Sequence, residues 1–77
     1  NDIEVDLVVE KPSLPPIFVE IKSSKEAQES MTKHLRTVQK DFPNATFQLW
    51  SQDPIKKRWG SIDALPWQEG LSQLFSP

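Results

Sequence analysis

Asp6 sits inside an apolar run, EVDLVVE, and Glu20 and Lys22 sit inside a second, IFVEIK. If the two runs pair as antiparallel strands around a loop centred near Ser13, Asp6 falls opposite Glu20 and Glu4 opposite Lys22. Directly opposed side chains have Cβ atoms roughly 4.5–5.5 Å apart. Two carboxylates held that close repel, so one takes up a proton or the pair holds a cation. Mg²⁺ suits such a pair, because it prefers oxygen ligands and needs only one or two carboxylates plus waters. Lys22 follows Glu20 by two residues and shares its face. An ammonium there can stabilise charge developing on a phosphate or help deprotonate a metal-bound water. A competing reading makes this face solvent-exposed, with Glu4–Lys22 an ordinary cross-strand ion pair on the polar side of a hairpin.

The elements that must position these residues follow from periodicity. Ile3 to Val9 reads as a strand with Ile3, Val5, Leu7 and Val9 on one face. Lys11 to Pro16, with three prolines and a serine, is a loop. Ile17 to Lys22 is a second strand, with Val19 and Ile21 on one face. Ser23 or Ser24 then predicts a helix start, Ser23 and Glu26 having the capping-box spacing. The helix is predicted to run to about Phe42 and stop at Pro43-Asn44, with Ala27, Met31, Leu35, Val38 and Phe42 in an arc of about 80°. Ala45 to Ser51 is a third strand. Gln52 to Gly60 reads as an irregular basic connection, and Ser61 to Leu65 as a short fourth strand. Pro66 opens a last helix to Phe75, with Trp67, Leu71, Leu74 and Phe75 as its apolar face. Gly70 weakens that helix by about 1 kcal/mol relative to Ala. The order is β-β-α-β-(β)-α, an α/β arrangement on one sheet.

Composition narrows the function. The chain has 77 residues, a net charge of −2 and no cysteine. It is read as a single domain over residues 1–77. Thiolate zinc sites and disulfides are excluded, which suits a cytoplasmic protein. An acidic balance supplies no general attraction to nucleic acid, so any DNA contact needs a local patch. No apolar run is long enough to span a bilayer.

The spacing of Asp6 and Glu20-Ile21-Lys22, followed by a helix, resembles the PD-(D/E)xK nuclease motif. "EVDLVVE", "FVEIKSSK" and "SIDALPWQEGLSQLF" together resemble a C-terminal domain of unknown function found in prokaryotic P-loop ATPases. That resemblance implies a partial restriction-endonuclease-like core. It implies Mg²⁺ or Mn²⁺ held by Asp6, Glu20 and the backbone carbonyl of Ile21, with Lys22 as the catalytic lysine and Glu4 as an accessory acid. It also implies an ATPase module in the same polypeptide, of which this chain would be a C-terminal piece. The chain has no G-x-x-x-x-G-K-[ST], so it carries no P-loop ATP site of its own. The implied function is a nuclease-like domain acting on or holding nucleic acid. The alternative is a non-catalytic interaction or DNA-docking module with the same fold.

Other residues were weighed for nucleic-acid contact. Lys56-Lys57-Arg58-Trp59 is the most basic cluster and could hold phosphates beside a stacking ring. It reads equally as a loop whose Trp59 folds onto the core. Lys33, Arg36 and Lys40 share one helical stripe with Glu29, which is placed to pair with Lys33 at i,i+4. His34, at the edge of the helix's apolar face, is read as structural, and Trp50 and Trp67 as packing residues.

Overall fold

The computed structural model describes residues 5–75. The first two strands form the hairpin that the sequence predicts. β1 (Leu7–Val9) runs antiparallel to β2 (Ile17–Ile21), with Leu7 opposite Val19 and Val9 opposite Ile17. The loop between them turns at Ser13, whose φ of 67° is left-handed. Ile3 and Glu4 lie outside the described residues. The single-face alternation predicted for the first strand breaks at Asp6. Val5 packs against one core and Leu7 against the other. The Asp6 amide donates to the Val19 carbonyl at 3.1 Å, while its carboxylate accepts the Ile21 N–H at 2.7 Å. A side chain thus stands in for a ladder bond there and bends the strand.

The long helix predicted from Ser23 is much shorter. A 3₁₀ turn spans Glu29–Thr32, and α1 covers only Lys33–Gln39. The groups that would have built its first turns are engaged elsewhere. Ser24 Oγ donates to the Glu26 carbonyl and accepts its N–H, a local turn that competes with helix. The Ala27 N–H donates to Asp53 Oδ2 at 2.9 Å, and the Ala27 carbonyl accepts from Lys57 Nζ at 2.9 Å. The predicted apolar stripe nevertheless faces the sheet: Ala27, Leu35 and Val38 are buried, and Phe42 packs on Phe18 with ring centroids 5.0 Å apart.

β3 (Thr46–Ser51) runs parallel to β2, and β5 (Ile62–Pro66) runs parallel to β3. The stretch read as an irregular connection contains a strand, β4 (Lys57–Trp59), antiparallel to β5 on the sheet edge. Trp59 pairs with Ile62 across a two-residue turn in which Gly60 has φ 64°, the residue that type II′ hairpins require first. The mixed five-stranded sheet has the order β1-β2-β3-β5-β4.

Each face of the sheet carries a helix. On one, Phe18, Phe47, Leu49, Ile62 and Ala64 meet Leu35 and Val38 of α1. On the other, Val19, Trp50 and Leu65 lie beneath α2 (Trp67–Leu74). Burial on both sides explains why β3 is closed to solvent from Phe47 onward, as central strands with two covered faces are. The apolar face predicted for α2 is only partly used. Leu74 packs inward, whereas Trp67 and Leu71 are exposed and Phe75 is 83% exposed. The helix meets the sheet through Gly70 instead. A Cβ there would lie 2.3 Å from the Trp50 indole, so glycine permits close contact rather than merely weakening the helix. No helix among the described residues is long and apolar enough to cross a membrane.

Candidate functional site

The β1–β2 ladder ends at Leu7 opposite Val19; just before Leu7 the Asp6 carboxylate accepts the Ile21 N–H and lies beside Glu20, at the carboxyl end of β2. Ligand sites in open α/β sheets form at such ends. Glu20 points to the α1 side and is 4% exposed. Its Oε2 lies 2.8 Å from His34 Nδ1 and 4.0 Å from Lys22 Nζ. Val5, Asp6, Glu20, Ile21, Lys22 and His34 line one shallow, solvent-open pocket.

Charge in this pocket is strongly coupled. Burial pushes the Glu20 carboxyl above its usual 4.5, and the neighbouring Asp6 carboxylate pushes the same way against His34 and Lys22. The Ile21 N–H holds Asp6 below its usual 3.8, with a further contribution from a hydrogen bond to Glu20. The interaction between the two neighbouring carboxyls raises Glu20 and lowers Asp6.

Asp6 and Glu20 supply two carboxylates beside open solvent, which fits a hydrated Mg²⁺ or Mn²⁺. Among the described residues no group of three or more His, Cys, Asp or Glu side chains is arranged to enclose a metal ion.

Lys22 is fixed by its backbone. Its N–H donates to the Trp50 carbonyl at 2.9 Å, which extends the β2–β3 ladder past Ile21. Glu4, the accessory acid of the resemblance, lies outside the described residues.

His34, read as structural from sequence, belongs to this pocket. Its placement at the edge of the apolar stripe was legible, but that edge could be matched to Glu20 only once α1 was docked across the sheet. Sequence reasoning also missed Asp53, which is buried yet held below its usual 3.8, at about 2. Lys57 Nζ at 2.8 Å is the main cause, followed by the N–H groups of Ile55 and Ala27. With the Gln52 N–H donating to the Ser24 carbonyl, this clasp ties the segment after Lys22 to the end of β3.

The basic cluster lies at the opposite edge of the sheet from the pocket. Each cation has an acidic neighbour: Lys56–Glu69 at 3.3 Å, Lys57–Asp53 at 2.8 Å and Arg58–Asp63 at 3.5 Å. Trp59 packs against the α1-side core. On α1, Glu29 pairs with Arg36 at 2.7 Å and not with Lys33. The 3₁₀ turn at Glu29–Thr32 changes the helical spacing that the i,i+4 pair needs. Trp50 is buried, its indole N–H donating to Gln48 Oε1, while Trp67 is exposed.

No protein-family model, no curated protein and no solved structure matches this chain.

Proposed function

We propose that this domain is a nuclease-like module with a partial restriction-endonuclease-like core, of the kind that accompanies prokaryotic ATPases. It binds Mg²⁺ or Mn²⁺ through Asp6, Glu20 and the Ile21 carbonyl and acts on or holds nucleic acid. The observation that carries this reading is the neighbouring carboxyls of Asp6 and Glu20, which line one open pocket together with Lys22.

A bound divalent ion would polarise a phosphodiester and lower the pKa of an attacking water. The chain's own groups do the rest. Asp6 and Glu20 would supply the two carboxylates. The Ile21 N–H keeps Asp6 ionised. Lys22, partly exposed at the pocket rim, is set to face a phosphate oxygen and offset the charge that builds there.

A second reading is a non-catalytic docking module with the same fold. The pairing of Lys56, Lys57 and Arg58 with acids favours it, since paired cations release few counterions on meeting DNA. Cleavage assays on DNA and RNA in Mn²⁺ separate the two, with Lys22→Ala as the control.

Metal binding is tested directly by thermal melts of the wild type and Asp6→Asn, with and without millimolar Mn²⁺. The wild type should gain stability by mass action and the variant much less. In chelator, Asp6→Asn should be no more stable than wild type, because the Ile21 N–H loses the ionised carboxylate it favours. Equal metal-induced shifts in the two proteins would sink the metal site.

A further inference from the structure

His34 has no counterpart in the D…ExK residues that suggest the site, yet its Nδ1 lies 2.8 Å from Glu20 Oε2. We infer that His34 is a positioning residue: its Nδ1–H holds Glu20 Oε2 so that the other carboxylate oxygen faces Asp6 and the cation between them. The inference rests on the metal-binding reading above.

Three observations lead to it. Glu20 is 4% exposed, so its carboxyl cannot be held by bulk water and takes its orientation from protein donors. The donors converge on one oxygen: His34 Nδ1 is 2.8 Å from Oε2, and Lys22 Nζ is 4.0 Å from the same atom. That leaves Oε1 for the side shared with Asp6.

His34 is itself held by the core. It is the second residue of α1, and the next residue, Leu35, is fully buried against the sheet. Just before α1, the buried Thr32 hydroxyl donates to the Glu29 carbonyl at 2.7 Å and accepts from Arg36 Nε at 2.9 Å. The helix start is locked, so the imidazole is delivered to Glu20 by α1 docking rather than by a mobile loop. Metal-ligating carboxylates are commonly held by such an outer hydrogen bond, and losing it weakens metal binding by about 10–100-fold.

The test uses Mn²⁺ alone, titrated calorimetrically into the wild type, His34→Asn, His34→Ala and His34→Leu, with metal-free melts of each. The side-chain nitrogen of Asn stands at the same δ position as Nδ1 and donates a hydrogen bond from there. His34→Asn should therefore bind Mn²⁺ within a few-fold of wild type, whereas His34→Ala and His34→Leu should lose about tenfold or more. Leu keeps the bulk of the ring and guards against simple unfolding of the Ala variant. Wild-type affinity in a folded Ala or Leu variant would overturn the inference while leaving the metal site standing. Equal weakening in all three variants would also overturn it, by making the imidazole a direct ligand. An absence of Mn²⁺ binding to the wild type would overturn the metal-binding reading and this inference with it.

Discussion

Two acids are buried to the same extent, each 4% exposed, and their carboxyls move in opposite directions. Asp53 is held at about 2 by the Lys57 ammonium and two backbone N–H groups. Glu20 is pushed up by burial and faces another carboxyl, with only His34 and a distant Lys22 against it. Both occupy the carboxyl-end side of the parallel strands. Asp53 is saturated by the protein and has nothing left to offer a ligand. Glu20 is under-compensated, and its surroundings improve only when a proton or a cation arrives. Burial alone therefore does not mark a functional acid; burial without sufficient donors does.

The largest test of this contrast is stability. Asp53→Ala should lower the denaturation midpoint more than any substitution named below. It strands the Ala27 and Ile55 amides and the Lys57 ammonium together. Glu20→Gln should do the reverse in chelator, leaving stability unchanged or raising it by up to about 1 kcal/mol as the carboxyl repulsion disappears. Urea melts of both variants decide the matter; a Glu20→Gln loss as large as that of Asp53→Ala would erase the distinction.

Gly70→Ala supplies a destabilised reference from the other face of the sheet. The new Cβ would meet the Trp50 indole, and overpacking of this kind costs about 1–3 kcal/mol. It should leave the metal-induced stabilisation intact. A Gly70→Ala protein that had lost its Mn²⁺ shift would show that metal response merely follows global stability.

The smallest expected effect is the pH profile in chelator, which separates the acids by sign. Asp53 and Asp6 have lowered pKa values, so their contributions are present above about pH 3.8 and are lost as pH falls, for Asp53 toward about 2. Glu20 has a raised pKa, so its contribution is full below its usual 4.5 and is lost as pH rises through the raised value. Wild-type stability should fall at both ends. Glu20→Gln should abolish the fall on the alkaline side and keep the acid one. A fall on the alkaline side that survives in Glu20→Gln would assign it to another group.

The hairpin was legible in the chain because its information is local. Two period-2 runs, a proline loop and a turn at Ser13 determine the register that opposes Leu7 to Val19 and Val9 to Ile17, and one residue of slip would have moved every side chain to the other face. The short hairpin at Gly60-Ser61 carried a local signal too, a glycine where a tight turn needs one, but the basic residues before it masked β4. Helix propensity misled at 23–28, where Asp53 and Lys57 claim the backbone groups of Ala27.

What only the tertiary structure decided was which distant groups meet. His34 reaches Glu20 because Leu35 and Val38 dock α1 over the sheet. Asp53 captures a backbone segment 26 residues away from it in the chain. Gly70 admits Trp50. Residue type and spacing by themselves pointed to a pair of acids close enough to share a proton or a cation, and left a solvent-exposed hairpin face as the other reading. They could not determine the donors around that pair, because hydrogen-bond partners of buried groups are selected by packing across elements, and packing has no period in sequence to read.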